Sequence, residues 1–381
     1  MSPENLHQIK APQWLVEIFR KSFNEEYVEV LKSILKPTWK YYLRVNSLRS
    51  DIDEVIKLLK DEGIIAIKDD LIKDAVYIEG YEELNPLLLE SLVIAKIDAA
   101  ESTSEGADLY RPGAISIKNA EKGSKVSVVT PDLAVAAEGI LMMDEKEFKN
   151  SKKGVVVKNI QPKFKRPSIQ NLKVFQQGII YPQSYPSILT IHELDPRENE
   201  TIVDMCSSPG GKLSHIIQIT RGKAKIIACD KSYSKINKIK DTLSRLGFPA
   251  PVLLKCDSRY LDLILGKEIA DKITLDPSCS DLGLRPRITL NVPKKNPKDY
   301  SEFQKQLLKA AYNVLKKGGI LCYSVCTVSH EETYEIYNYA IEELKMEALP
   351  LKFTDEKETI HIFNPYKEDT PGYAIFKLQK I

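Results

Sequence analysis

The sequence predicts an α/β protein. Its larger, C-terminal part reads as a parallel, doubly wound sheet, preceded by a small α+β unit and a β-rich insert. Three observations carry this. From residue 171 onward, short apolar runs alternate with amphipathic stretches at helical spacing, the pattern of a parallel sheet with helices on its faces. Four of those apolar runs end, in order, in a glycine-rich loop, an Asp, a second Asp and an Asp-Pro-x-Cys. Between residues 96 and 170 helical spacing disappears, and glycines punctuate short apolar runs instead.

At 381 residues the chain is too long for one core, so several domains are expected, and we divide it at 1–95, 96–170 and 171–381. An apolar content of 43% and a charged content of 28% are ordinary for a soluble globular protein. The first residues, Met-Ser-Pro-Glu-Asn, show neither the basic nor the apolar region of a signal peptide, and no apolar run is long enough for a bilayer. A cytoplasmic monomer without a membrane segment is the expectation. The cysteines at 206, 229, 256, 279, 322 and 326 form no Cys-x-x-Cys pair, so reduced thiols are expected rather than a metal site or a disulfide framework.

Taken in order, residues 11–35 carry apolar side chains at helical spacing until Pro37 stops the pattern. Residues 41–46 alternate as a strand. Ser50 or Asp51 can cap a helix with Ile52, Val55, Ile56, Leu58 and Leu59 on its apolar face, closed by Gly63, and residues 64–67 read as a further strand. In the β-rich stretch, residues 126–129 and 154–157 read as strands. The α/β part follows. It has strands at 202–205, 224–229, 252–256, 273–275 and 320–324, and helices beginning at 213 and spanning 233–246 and 300–315.

Net charge is only +2, but its distribution is uneven. No Asp or Glu occurs from residue 148 to residue 192, and Lys149, Lys152, Lys153, Lys158, Lys163, Lys165, Arg166 and Lys173 all fall inside that window. A second basic run holds Arg285, Arg287, Lys294, Lys295 and Lys298. An acid-free window of this length suggests a polyanion such as nucleic acid. Tyr181, Tyr185 and Phe175 lie in it; each reads as a core residue or as a platform for unpaired bases.

In an open α/β sheet, ligands bind beyond the carboxyl ends of the strands. Cys206, Ser207, Ser208, Pro209, Gly210, Gly211 and Lys212 form a tight loop whose glycines admit a ligand close to the backbone, at the N-terminus of the next helix. Asp230 ends the following strand, where a carboxylate can hold the two hydroxyls of a ribose, and Asp257 ends the third, on the adenine side. Neither G-x-G-x-x-G nor a P-loop is present. A nucleoside without phosphate fits better, and S-adenosyl-L-methionine (AdoMet) is the common case. Asp276 and Cys279 end the fourth strand. Alone, that stretch reads equally as a turn with a buried thiol; the row of strand ends favours chemistry.

Three of these motifs together are similar to those of the NOL/NOP/Sun RNA (cytosine-5) methyltransferases: Asp-Met-Cys-Ser-Ser-Pro-Gly-Gly-Lys at 204–212, Leu-Asp-Pro-Ser-Cys-Ser at 275–280 and Tyr-Ser-Val-Cys-Thr at 323–327. Leu-Arg-Val-Asn at 43–46 and Val-Phe-Gln-Gln-Gly-Ile-Ile at 174–180 resemble the family's N-terminal RNA-binding unit and its join to the catalytic domain. Residues 106–115, 126–130, 135–139 and 154–157 resemble a PUA domain, as in the family's tRNA branch.

The resemblance implies a Rossmann-like, AdoMet-dependent methyltransferase domain acting on RNA, most closely a tRNA cytosine near the acceptor end. It implies Cys326 as the nucleophile that adds to carbon-6, Cys279 as the group that assists product release, Asp276 on the cytosine edge, and Lys212 on the base or the cofactor carboxylate. A thiolate adduct makes carbon-5 an enamine, which splits one hard step into two easier ones. Cys206, Cys229, Cys256 and Cys322 are expected to be small buried residues. The chain departs from the family pattern at Ser278, usually proline, at Asp281, usually glycine, and at Val325, usually threonine. An rRNA methyltransferase of the same family and an RNA-binding protein without catalysis are the alternatives.

Overall fold

The computed structural model describes residues 11–354 and 357–381. Helices Gln13–Phe23 and Tyr27–Ile34 bury Leu15, Phe19, Val30 and Leu31 at the spacing read from sequence. Their apolar stripe packs against Leu282, Leu290 and Val328, so these helices brace the loops of the catalytic domain that carry the two motif cysteines.

Strands Lys40–Val45, Ile67–Lys68, Ala75–Glu79 and Ile180–Pro182 form a four-stranded antiparallel sheet. Helix Ile52–Asp61 covers it, and the Asp51 carboxylate caps that helix by accepting from the Glu54 amide at 2.9 Å. Two details differ from the sequence reading. Residues 64–66 do not pair; only Ile67 and Lys68 meet the neighbouring strand, while Ile65 points to solvent. And residues 180–182, beyond the limit drawn at 171, belong to this N-terminal sheet through pairing with Leu43, Arg44 and Val45. The β-rich module is inserted between two strands of one sheet.

That module is a six-stranded sheet ordered Leu109–Tyr110, Val155–Pro162, Val135–Leu141, Lys125–Val129, Leu92–Ala95 and Ala114–Lys118, around a core of Val93, Leu109, Val126, Val128, Leu141 and Val156. It also contains helices Ile97–Ser104 and Glu145–Asn150, which the absence of helical spacing did not predict. The first buries Ala100, Thr103 and Ser104, residues too small and polar to make an apolar stripe. The second is set by a capping box between Asp144 and Glu147.

The catalytic sheet has eight strands: β1 Thr201–Met205, β2 Lys225–Asp230, β3 Val252–Lys255, β4 Ala270–Leu275, β5 Leu315–Val325, β6 Glu347–Leu349, β7 Ile360–Phe363 and β8 Tyr373–Gln379. The order is β3-β2-β1-β4-β5-β8-β6, with β7 also on β8. Strands β1 to β5 are parallel, as the strand–helix alternation predicts, whereas β8 runs antiparallel to β5. Apolar residues on both faces of the central strands, among them Ile202, Val203, Ile273 and Leu321, make them fully buried. The strand order reverses between β1 and β4, which places the crevice for a ligand above the ends of those two strands.

Candidate active site

At the end of β1 the chain turns sharply. Cys206 takes a left-handed conformation at φ +61°, and Gly210 sits at φ +102°, where a Cβ would be strained. The loop is tied down from both sides. Ser207 Oγ donates to Asp204 Oδ2 at 2.5 Å, and the Ser208 amide donates to Asp230 Oδ2 at 3.0 Å. Asp230 is buried at the end of β2 and also faces Lys235 Nζ at 3.3 Å. Asp257, beyond β3, is half-exposed and holds Arg259 at 2.6 Å. Helix Gly211–Ile219 begins directly at the loop. A Cβ on Gly211 would approach the Tyr181 ring to 3.0 Å, so that glycine lets the aromatic wall of the cleft come close. A bare backbone at a helix N-terminus with a buried carboxylate at the end of the next strand fits the AdoMet expected from sequence.

The loop and the ends of β4 and β5 enclose a cleft of about 270 Å³, lined by Cys206, Lys212, Asp276 and Cys326 among others. Lys212 is buried, and its Nζ lies 2.6 Å from Asp276 Oδ2. Burial alone would lower the ammonium pKa, but Asp276 and Tyr373 beside it more than offset that and raise it, so the lysine stays charged. Ser324 Oγ donates to the other Asp276 oxygen at 3.2 Å. Asp276 is thereby fixed in orientation with one edge toward the cleft.

Cys279 and Cys326 come together. Their sulfurs are 3.1 Å apart, although the residues are far apart in sequence. Contact with Cys326, and then burial, push the Cys279 thiol well above its ordinary pKa. Behind the pair lies the buried Glu332 carboxylate, which accepts from the Ser280 amide at 3.0 Å and from Gln304 Nε2 at 2.9 Å, fixing the loop after β4 to the turn after β5.

Three residues of the site were not assigned from sequence. Asp204 was quoted only as part of a motif; it lines the cleft, and burial raises its carboxyl to about 7. Tyr373, which closes the cleft opposite the loop, sits on β8, a strand that no alternation signal marked. Ser324 stands two residues before Cys326 in the last motif. Among the other cysteines, Cys229 and Cys322 are fully buried as expected, but Cys206 and Cys256 are only partly so, and Cys206 faces the cleft.

The basic window divides. Lys152, Lys153, Lys158 and Lys165 are exposed and Lys163 is half-buried; Lys165 reaches Glu82 at 3.5 Å. Arg166 departs from the sequence reading as an RNA contact. It is half-buried, bonds the Thr38 carbonyl, lies over the rings of Tyr41 and Tyr81 and lines a second cleft with Glu105 and Arg285, so most of its contacts are made within the protein. Tyr185 packs against Tyr42 and Phe175 under Arg245, whereas Tyr181, under Arg44, also lines the cleft.

A parallel sheet with this switch point, a glycine loop beside a strand-end carboxylate, and two thiols over a fixed Asp–Lys pair define an AdoMet-dependent methyltransferase of the kind that works on a pyrimidine ring. Comparison with known proteins gives the family. Residues 191–377 match the model of the 16S rRNA methyltransferase RsmB/F family, residues 11–84 the ferredoxin-like domain of RsmF/B-like methyltransferases, and residues 92–162 the PUA domain. The chain is 35% identical to the tRNA (cytosine(72)-C(5))-methyltransferase of Pyrococcus horikoshii, over 97% of each chain. It is 26% identical to human tRNA (cytosine(72)-C(5))-methyltransferase NSUN6, over 84% of this chain and 76% of that one. The crystal structure of NSun6 from Pyrococcus horikoshii with SFG, an AdoMet analogue, superimposes with a TM-score of 0.84 at 34% identity, covering 97% of this chain and 98% of that one. The chain belongs to the NOL/NOP/Sun family of RNA (cytosine-5) methyltransferases, in its PUA-containing branch.

Proposed function

We propose that the chain methylates carbon-5 of a cytosine near the acceptor end of tRNA, through a covalent adduct between Cys326 and carbon-6. The observation that carries this is the 3.1 Å approach of the buried Cys279 to Cys326, which lines the cleft together with Asp276 and the glycine loop. The named activity of the 35%-identical relative and the PUA module support tRNA as the substrate.

The residues that would hold AdoMet are the loop from Cys206 to Gly211, with Asp230 for the ribose and Asp257 on the adenine side. When bound, AdoMet supplies the methyl group as an electrophile. Cys326 adds to carbon-6, breaking the 5,6 double bond and loading carbon-5 with electron density. Asp276, fixed by Lys212 and Ser324, accepts from the exocyclic amine of the cytosine, and the Lys212 ammonium beside it counters the negative charge that develops on the ring. After methyl transfer the carbon-5 proton leaves, the carbon–sulfur bond breaks, and Cys279 serves that release. The exposed lysines 152, 153, 158 and 165 offer counterion release on the phosphate backbone.

The test is methyl incorporation from labelled AdoMet into purified tRNA and rRNA, followed by bisulfite sequencing of the product. Label at a cytosine of the acceptor end is expected; label confined to rRNA would overturn the substrate. For the adduct, Cys279→Ala should accumulate RNA-linked protein that survives denaturing gels, and Cys326→Ala should not. Absence of the adduct in both variants would remove the two-thiol mechanism.

A further inference from the structure

Asp281 stands where the family usually has glycine, and it is the charged residue closest to the two thiols. The position has φ +58°, a left-handed conformation that glycine adopts freely and that Asp tolerates better than most residues. Its carboxylate is aimed at the sulfurs. Cys279 Sγ lies 3.4 Å and Cys326 Sγ 3.5 Å from the same oxygen, Oδ1, and the Asp281 amide donates to Cys279 Sγ at 3.3 Å. The other oxygen, Oδ2, is 2.9 Å from Lys295 Nζ, which also donates to the Ser280 carbonyl at 2.6 Å. Arg287 holds the Asp281 carbonyl.

We propose that Asp281 is a positioning residue whose carboxylate disfavours thiolate formation in the Cys279–Cys326 pair of the RNA-free enzyme, with Lys295 as the counterweight that limits its effect. The inference rests on the two-thiol reading of the site. A carboxylate accepts a hydrogen bond from a thiol but repels a thiolate, so a shared oxygen facing both sulfurs favours the doubly protonated pair. The Lys295 ammonium on the opposite oxygen draws off part of that negative charge. The remaining charged groups around the pair are Arg287, on the Asp281 carbonyl and itself paired with Glu101, Glu332, behind the Ser280 amide, and the Lys212–Asp276 pair across the cleft. Glu332 acts in the same direction as Asp281, and the paired Lys212 and Asp276 largely cancel. The thiolate is the nucleophile, so a protonated resting pair costs reactivity at neutral pH and shields the sulfurs from adventitious alkylation.

The test uses the full chain without RNA or AdoMet, so that it does not depend on the substrate assignment. Iodoacetamide alkylation of Cys326 and Cys279 is followed by mass spectrometry across neutral to alkaline pH. Asp281→Asn, which keeps the shape and the left-handed backbone, should speed alkylation near neutrality by about tenfold, the effect of about one pKa unit on the thiolate fraction. Asp281→Gly should do the same. Lys295→Met should act oppositely, slowing alkylation and moving its midpoint to higher pH. Unchanged pH profiles in both Asp281 variants, or faster alkylation in Lys295→Met, would overturn the assignment. A purely structural Asp281 would leave the midpoint where it is, even if the variants lost stability.

Discussion

Lys212 Nζ lies 2.6 Å from Asp276 Oδ2, so the first turn of the helix after the glycine loop is bridged by a charge-assisted bond to the strand end that leads into Cys279. The bridge joins the glycine-loop side of the cleft to the end of β4. Lys212→Met would leave the Asp276 carboxylate without its cation and free to rotate about Ser324. Methyl transfer in a single-turnover assay is expected to fall by about 10²- to 10³-fold, the usual cost of losing one preorganised charge-stabilising group. A rate within about threefold of the parent would show that Ser324 alone suffices to orient Asp276.

A second bridge reaches the same loop from outside the catalytic domain. Arg44, fully buried on the first strand of the N-terminal sheet, donates to the Gly211 carbonyl at 3.1 Å and to Ser214 Oγ at 2.7 Å. The N-terminal unit therefore holds the helix that begins at the glycine loop. Arg44→Met keeps the apolar stem but leaves the Ser214 hydroxyl and a loop carbonyl less well satisfied, at about 1–3 kcal/mol in stability. AdoMet binding by calorimetry should weaken by about tenfold, as expected for a loop that has lost about 1.4 kcal/mol of ordering. Unaltered AdoMet affinity would separate the N-terminal unit from the cofactor site.

Asp74 makes the interface between those two parts specific. One carboxylate takes His192 Nε2 at 2.8 Å, His215 Nε2 at 2.9 Å and Gln218 Nε2 at 2.9 Å. Burial would raise its pKa, but the two histidines outweigh that and hold it far below the ordinary carboxylate range. Burial also pushes His215 down to about 4, so that ring is neutral at physiological pH. Asp74→Ala leaves the buried His215 and Gln218 and the half-buried His192 without their shared acceptor. A loss of about 3–5 kcal/mol is expected in urea titrations, the range for breaking a buried polar cluster from one side. A loss below about 1 kcal/mol would mean that water replaces the carboxylate.

Much of this was legible before the structure, for identifiable reasons. The parallel strands are apolar runs that each lead into a residue of the candidate site, so β1 to β5 and the residues beyond them stand out in the sequence. Helix 233–246 carries its own stop, Gly247 at φ +73°. The antiparallel edge did not stand out. Strand β8 is buried almost throughout, Lys377 included, because Glu193 pairs with that lysine at 2.9 Å; a charge in a buried strand hides the pattern. Tyr373 was missed with its strand. Arg166 and Arg44 show the limit of reading charge from sequence. Both make most of their contacts within the protein, one among aromatic rings and one under the glycine loop, and neither is distinguishable by composition from an exposed RNA contact. Asp281 was visible as a departure from a motif, but its contact with both sulfurs depends on a backbone turn that brings residues 279 and 326 together.

Asp204 gives a pH dependence whose sign is fixed by its burial. Its carboxyl is raised to about 7 from an ordinary value of 3.8, chiefly by burial, with the Ser207 hydrogen bond acting the other way. The folded state therefore prefers the protonated form, and stability falls as pH rises from the unfolded value through the folded one. Asp204→Asn has no charge to bury and keeps an acceptor for Ser207. Its stability should match the parent in acid and exceed it increasingly toward neutral pH. The difference between about 7 and 3.8 is about 3 units, which at about 1.4 kcal/mol each sets an upper limit of about 4 kcal/mol. Urea denaturation of the two proteins in acid and in mild alkali reads this directly. A constant gap at both ends would show that Asp204 does not change protonation on folding; a gap that widens with pH would show that a buried carboxyl beside the glycine loop takes up a proton when the chain folds.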